Sequence, residues 1–253
     1  MSGRQWVFLR GLMREERHWG DFPQVFRDTV GNDEVLTLDL PGNGSLRHEP
    51  SPLRVEEMAE WLRAELPRRG LKPPYHFLAN SLGAMVAVAY AAAHPQELSG
   101  VVLINTSLRP YSAFWQRLRP AAWPTILRMA FTAPSARHVE TSILNLISAE
   151  PARTSKALEK WIAWREEAPV SRANGLRQLI AGARFRAPVE TPSVPILLLV
   201  GGSDRLVDPR CSKRVAQAWG SALAEHPGAG HDLPLDDGQW VAQQVRDWLT
   251  PTS

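Results

Sequence analysis

The chain has 253 residues, of which 44% are hydrophobic and 22% are charged, and its formal net charge is +3. This suits one large globular domain, or a compact domain with an insertion, and the small net charge does not indicate nucleic-acid binding. No apolar run reaches the roughly 18 residues that a membrane helix needs, and the apolar run at 6–9 is too short for a signal peptide. The single cysteine, Cys211, excludes an internal disulfide, which favours a reducing, cytoplasmic location.

Six short apolar runs predict β-strands. Near-continuous apolar strands are typical of parallel sheets that are buried on both faces. The segments between them carry apolar residues three or four positions apart, as at Val55, Met58 and Leu62, and therefore predict amphipathic helices. This alternation predicts an α/β fold with a mostly parallel central sheet of about six strands flanked by helices. The predicted strands are residues 6–9, 35–38, 75–79, 101–104, 196–200 and 222–226.

Residues 108–190 interrupt the alternation, because they show helical spacing and no strand pattern. We expect them to form a helical cap inserted into an α/β core made of residues 1–107 and 191–253. The insertion contains thirteen Lys and Arg residues against six Glu and no Asp, so it is a basic segment within an otherwise slightly acidic chain. Four tryptophans are expected to pack within it or to face the site beneath it, and they are Trp115, Trp123, Trp161 and Trp164.

The run LANSLG (residues 78–83) lies between a predicted strand and a predicted Ala-rich helix. A serine on such a sharp turn is exposed at the carboxyl edge of the sheet, and the strained turn needs small neighbours, which Ala79 and Gly83 provide. The helix that follows can direct the Leu82 amide at an oxyanion. The alternative is that Ser81 only caps an ordinary helix.

Two further loops present an acid and a histidine. Asp204 follows the predicted strand at 196–200, and His231 lies in the Gly-rich run HPGAGHD (residues 226–232). Because the carboxyl ends of parallel strands share one edge of a sheet, Ser81, Asp204 and His231 are expected to meet there, in the order of a Ser-Asp-His triad. In such a triad the histidine takes the serine proton and the acid holds the imidazole tautomer.

These motifs resemble the α/β-hydrolase superfamily, in its small esterase and lipase-like branch, over residues 6–249 apart from the insertion. The runs GGSD (201–204) and GH (230–231) are similar to the acid and histidine loops of that family. DLPGNGS (39–45) resembles its loop after the second strand found here, and Arg10-Gly11 followed by Trp19 resembles its oxyanion loop.

The resemblance implies an acyl-enzyme on Ser81, an oxyanion hole formed by the backbone amides of Leu12 and Leu82, and no metal or cofactor. The possible pocket residues are Gly11, Arg10, Trp19 and Asn80.

Three features depart from the family pattern. The first position of the serine turn is Ala79 rather than Gly, which is still small. The oxyanion loop starts with Arg10 rather than His, which changes the charge near the acyl pocket. The chain begins at what resembles the third strand of the family, so the strand at 35–38 is expected at an exposed edge.

Other titratable residues have simpler interpretations. Asp208 is an alternative acid, but its position predicts the start of a helix. His18 lies near the oxyanion loop and is expected at the surface, with pocket lining as the alternative. Structural roles are expected for Cys211, for His76 and His226 within strands, and for Asp236 and Asp237 at the start of a helix.

The sequence therefore predicts a serine hydrolase that cleaves carboxylic esters or thioesters. Its basic insertion is either a solvated face or a recognition surface for an anionic acyl chain, a coenzyme A thioester or an acidic carrier protein, since caps of relatives that serve carrier-protein esters are similar in being helical and basic. A carbon–carbon hydrolase or lyase on the same triad, and a non-catalytic binding protein, are the alternatives. We expect a monomer or homodimer. The candidate recognition residues are Arg117, Arg119, Arg128, Arg137, Arg153 and Arg165.

Overall fold

A single sheet organises the molecule, whose computed structural model describes residues 3–31, 33–131 and 135–250, with the side chains at 129–131 and 151–155 outside the description. Within these residues the strands are Gln5–Leu9 (β1), Glu34–Leu38 (β2), Tyr75–Asn80 (β3), Leu98–Ile104 (β4), Ile196–Gly201 (β5) and Ala222–His226 (β6). They pair in parallel in the order β2-β1-β3-β4-β5-β6. The predicted strands and fold class are confirmed, and β2 lies at an edge as expected.

Five helices cover the two faces of the sheet. They are Phe22–Val30 (α1), Val55–Arg68 (α2), Leu82–Ala93 (α3), Arg210–Trp219 (α9) and Leu233–Leu249 (α10), numbered in chain order with those of the insertion. Successive strand side chains point to opposite faces. Val7 and Phe77 accordingly pack with α2, α3 and α9, whereas Phe8 and Leu78 pack with α1 and α10. Both faces are therefore buried, which explains why the strands read as continuous apolar runs.

Five helices lie between β4 and β5, and the described residues there form no strand. They are Phe114–Arg117 (α4), Trp123–Phe131 (α5), Ala136–Ile147 (α6), Pro151–Glu167 (α7) and Arg172–Arg184 (α8). A bridge between Arg109 and Arg186 joins the two ends of this insertion. Trp161 packs in a small core of its own with Leu144 and Ile147, whereas Trp115 is 63% exposed. No helix within the described ranges combines the length and the apolar character that crossing a bilayer demands.

The candidate site follows from the strand directions. All six strands are parallel, so the loops after β1, β3, β5 and β6 emerge at the same edge of the sheet. These loops carry residues 10–19, Ser81, Asp204 and His231, respectively. The sheet thus places residues that are far apart in the sequence around one region.

Candidate active site

Ser81 occupies a strained turn between β3 and α3. Its φ of 56° and ψ of −112° lie in a region that residues with a Cβ rarely adopt, and its amide donates a 3.0 Å hydrogen bond to the Ile104 carbonyl of the neighbouring strand. A Cβ added to Gly83 would lie only 2.5 Å from the Leu9 carbonyl oxygen, so α3 packs directly on the end of β1. The turn therefore requires glycine at position 83, where the sequence predicts only a small residue.

His231 and Asp204 form a buried pair. His231 Nδ1 lies 2.7 Å from Asp204 Oδ2, and both side chains are buried. The other carboxylate oxygen accepts hydrogen bonds from the amides of Leu206 and Val207 at 2.8 and 2.9 Å, which fixes the acid. Burial alone lowers the pKa of His231, but the charge and hydrogen bond of Asp204 outweigh it, so the pKa is raised above its ordinary value. With Nδ1 facing the acid, Nε2 remains for proton transfer.

Asn105 joins the acid loop to the histidine loop. It directly follows β4 with a φ of 46°. Its Nδ2 donates to the carbonyls of Gly230 and His231 at 3.0 and 2.9 Å, and its Oδ1 accepts from the Gly201 amide at 2.8 Å. Sequence reasoning missed this residue, although a polar residue at the carboxyl end of a buried strand is a signal that could have identified it.

The loop after β1 lies against the serine. A Cβ added to Gly11 would lie 3.1 Å from Ser81 Cβ and 3.6 Å from Ser81 Oγ, so the backbone at Gly11 packs closely against the serine. Among the described residues, the backbone amides of Leu12 and Leu82 and the Ser81 hydroxyl make no hydrogen bond to another protein group. The next amide, of Met13 at a φ of 53°, donates to Gln178 in α8 at 2.9 Å. The two residues whose amides have no described protein acceptor therefore adjoin Ser81: Leu82 follows it in the chain, and Leu12 follows Gly11, which packs against it.

Arg10, expected as a possible pocket residue, forms a buried ion pair. Its guanidinium contacts both carboxylate oxygens of Asp232, at 3.1 and 2.5 Å, and its Cζ lies 4.6 Å from the centroid of the Trp19 ring. The positive charge of Arg10, which replaces the histidine of the family pattern, is thus paired with the carboxylate of Asp232, the residue after His231. Trp19 packs mainly in the core with Phe8, and Asn80 is buried with an Oδ1 that no described residue contacts by a hydrogen bond.

The surface position expected for His18 is wrong. The ring is buried between Trp161 and Trp164 of the insertion, with centroid distances of 5.3 and 5.4 Å, and lies 2.9 Å from Arg14. Burial and the nearby arginine charges hold its pKa well below the ordinary value of 6.5, so it is neutral at pH 7. Arg14 also pairs with Glu140 of α6 at 2.7 Å, which explains how the loop carries a histidine and an arginine inside the protein.

Asp208, His76 and Cys211 take no part in the pair of His231 and Asp204. Asp208 binds Arg210, whose hydrogen bonds lower the pKa of that carboxyl, and no hydrogen bond links it to a histidine in the described part of the chain. His76 stacks on Trp6 within the core, and burial lowers its pKa to about 4. Cys211 is buried, which raises the pKa of its thiol and keeps it unreactive.

Four of the arginines proposed for recognition have partners within the protein, although Arg119 and Arg137 remain exposed. Arg117 donates to the carbonyls of Ser107 and Gly182, and Arg119 donates to the Asp204 carbonyl at 2.8 Å. Arg137 pairs with Glu159, and Arg165 pairs with Glu140. The Arg153 side chain lies outside the described residues. The positive charge of the insertion therefore overstates what those arginines offer to a ligand. The described residues contain no group of three or more His, Cys, Asp or Glu arranged to hold a metal ion.

Comparison with known proteins identifies the family of this chain. The model of the alpha/beta hydrolase family matches residues 6–244. The chain belongs to the alpha/beta hydrolase family.

Relatives of this hydrolase include proteins named pimeloyl-[acyl-carrier protein] methyl ester esterase. The one from Pectobacterium atrosepticum is 28% identical and aligns over 90% of this chain and 89% of its own. The one from Aromatoleum aromaticum is also 28% identical, over 90% and 94%. Among solved structures, a thermophilic esterase from Thermogutta terrifontis has a TM-score of 0.74 at 23% identity, covering 98% of this chain and 90% of that one. The enol-lactonase from Burkholderia xenovorans LB400 has a TM-score of 0.80 at 18% identity, covering 98% and 92%, and these structural likenesses show the fold alone.

Proposed function

We propose that this hydrolase is a serine esterase in which Ser81 attacks the ester carbonyl. His231 takes the proton of the Ser81 hydroxyl and returns it to the leaving alcohol, and Asp204 orients the imidazole. The observation that carries the proposal is the 2.7 Å hydrogen bond between His231 and Asp204 at the sheet edge where Ser81 occupies its strained turn. The bond from Ser81 Oγ to His231 Nε2 is expected to form with substrate, since catalytic hydrogen bonds often tighten only in the complex.

Two backbone amides support the transition state in this proposal. Those of Leu12 and Leu82 have no described protein acceptor and flank the serine, one in the loop after β1 and one at the start of α3. Each such donor contributes about 3 to 4 kcal/mol to stabilising the tetrahedral oxyanion. Gly11 allows the first of them to approach, because a side chain there would meet Ser81. Water then releases the acyl group, so the proposed reaction needs no cofactor.

The proposed substrate is a small-alcohol ester of an acyl chain attached to an acidic carrier protein. The support comes from the relatives named as pimeloyl-[acyl-carrier protein] methyl ester esterases and from exposed cations on the insertion. Lys156 and Lys160 lie one turn apart on α7, are exposed, and form no ion pair with any described residue. In this proposal the inserted helices form a cap over the site. The hydrolase is cytoplasmic and binds the carrier protein at this cap.

The nucleophile is tested first. We expect the protein to hydrolyse p-nitrophenyl acetate, butyrate or octanoate and to react with a fluorophosphonate probe, and Ser81→Ala to lose both. Ser112→Ala is the matched control, because the hydroxyl of that buried serine makes no hydrogen bond to Ser81, Asp204 or His231 in the described structure. Labelling without turnover would show a reactive serine and an unsuitable ester, and would move the assignment to thioesters, carrier-bound acyl groups or carbon–carbon cleavage on the same residues. A folded protein with neither signal would refute the esterase and favour a binding protein.

The carrier is tested separately. We expect kcat/KM for the methyl ester of a carrier-bound dicarboxylic acyl chain to exceed that for the same ester on free pantetheine, and the advantage to decrease with salt. Replacing Lys156 and Lys160 with Ala is expected to reduce the carrier-dependent part only. Equal kcat/KM for both esters, independent of salt, would overturn carrier recognition and leave a general esterase.

A further inference from the structure

Asp236 is buried, although its position in the sequence indicates only the start of a helix. It lies in the first turn of α10, and its carboxylate accepts hydrogen bonds from three donors. One oxygen accepts from the Gly230 amide at 2.7 Å and from the Ala149 amide at 2.9 Å, and the other accepts from Ser148 Oγ at 2.6 Å. None of these bonds belongs to the helix that carries the residue.

The donors come from two separate parts of the molecule. Gly230 immediately precedes His231, whereas Ser148 and Ala149 form the turn after α6 of the insertion. The Asp232 amide also donates to the Ile147 carbonyl at 2.8 Å. Both neighbours of His231 are therefore linked to the turn at 147–149. Gly230 is linked through the Asp236 carboxylate, and Asp232 is linked by its own amide.

The packing leaves no room between the turn and the loop. A Cβ added to Gly230 would lie 2.7 Å from the Ile147 carbonyl oxygen and 2.8 Å from the Ala149 amide. On the opposite side, Asn105 of the core binds the carbonyls of Gly230 and His231. The backbone of the histidine loop is thus held between the core and the insertion.

We propose that Asp236 is a positioning residue that makes the placement of the His231 ring against Asp204 depend on the seating of the turn at 147–149. Without the carboxylate, the amides of Gly230 and Ala149 and the Ser148 hydroxyl lose their acceptor, so the turn and the loop separate. The catalytic meaning of this coupling rests on the proposed esterase function, but the placement of the ring does not.

The side chain at 236 acts through hydrogen bonds and not through charge. Asn can accept from the two amides with its oxygen and donate to Ser148 Oγ, which can accept, so Asp236→Asn preserves the arrangement. Ala can do neither. The charged groups that act on His231 are Asp204, Asp232 and Arg10, and all three remain in both variants.

The first measurement is the pKa of the His231 ring by NMR, which requires no turnover. In Asp236→Ala we expect this pKa to fall by about half a unit or more, because the ring moves away from the acid that raises it. Asp236→Asn should keep the wild-type value. The matched control is Asp237→Ala, the next residue, whose carboxylate accepts from the Trp240 amide and lies 3.4 Å from His226, but contacts neither Gly230, His231 nor the turn at 147–149 among the described residues.

The second measurement is turnover of the best ester. We expect kcat to fall about tenfold or more in Asp236→Ala with KM within about twofold, and to recover in Asp236→Asn. Wild-type pKa and kcat in a folded Asp236→Ala variant, or equal losses in Asn and Ala, would overturn the proposal. If Asp236→Ala does not fold, Ser148→Ala must lower the pKa of His231 in the same direction, and an unchanged value refutes it. A pKa shift in a protein that hydrolyses no ester would refute the esterase and retain the positioning role.

Discussion

The buried pair of Arg10 and Asp232 permits a quantitative test of how the site is held together. Their side chains are 3% and 1% exposed, and the pair links the loop after β1 to the residue next to His231. Arg10→Met removes the guanidinium but keeps an apolar chain over Trp19. The variant leaves the Asp232 carboxylate buried without its cation, which is expected to lower the free energy of unfolding by about 3 to 5 kcal/mol.

The double variant separates the pair from the packing. In Arg10→Met combined with Asp232→Leu, both charges are gone and apolar groups of similar size remain, so the free energy of unfolding is expected to return to within about 1 kcal/mol of wild type. The assay is urea unfolding monitored by circular dichroism, with the denaturant slope required to stay constant. Arg10→Met is also expected to raise the pKa of His231, because the guanidinium charge lowers it.

Additive effects would refute the pairing. If the free-energy changes of the two single variants sum to that of the double variant within about 0.5 kcal/mol, the carboxylate and the guanidinium do not interact as the structure indicates. The control pair is Arg137→Met with Glu159→Leu, an exposed ion pair on the insertion that should contribute about 0 to 1 kcal/mol.

Three further predictions concern the turn, the core histidine and the insertion. Gly83→Ala puts a methyl group about 2.5 Å from the Leu9 carbonyl oxygen, so turnover of a p-nitrophenyl ester should fall at least tenfold, and retained turnover would contradict the packing. Burial lowers the pKa of His76 to about 4, so between pH 6.5 and 4 the unfolded chain binds a proton that the folded one does not. The free energy of unfolding should fall with acidification by up to about 1.4 kcal/mol per pH unit from this group, and His76→Phe should flatten that slope in urea titrations. Glu140→Gln leaves Arg14 buried beside a neutral amide and should cost about 3 to 5 kcal/mol, seen as a lower urea midpoint; an unchanged midpoint would contradict the pairing.

The strands and the loops that carry the site were predictable from local sequence. A parallel strand that is buried on both faces must be largely apolar, so the four inner strands appear as short apolar runs, whereas the edge strands β2 and β6 are only partly buried. The residues after such strands share one edge, which is why Ser81, Asp204 and His231 could be assigned to one region from the sequence. Their catalytic roles remain a prediction, although the structure brings Asp204 and His231 into contact.

The supporting residues were not predictable in this way. Asn105 binds the loop at Gly230, 125 residues further along the chain, and Gln178 binds the Met13 amide across 165 residues. Neither residue type nor local spacing indicates such a partner. The sequence predicts a surface position for His18, with pocket lining as the alternative, but two tryptophans of the insertion pack against its buried ring.

For the charge of the insertion, too, the sequence and the tertiary structure determine different things. Counting residues predicts a basic surface, whereas the structure buries Arg117 against backbone carbonyls and pairs Arg165 with Glu140. Composition records how many charges a segment has, because that number does not depend on folding. Which of them face solvent depends on contacts between segments.

The sequence alone determined the α/β fold, the order of the strands along the chain and the set of residues able to form a serine hydrolase site, because buried strands and strained turns restrict the residue types that occupy them. The tertiary structure alone decided that Arg10 neutralises Asp232, that Asp236 joins the insertion to the histidine loop and that His18 is buried. The physical reason is that buried polar groups must find hydrogen-bond partners, and in this fold the partners come from distant segments that only the packed sheet and insertion bring together.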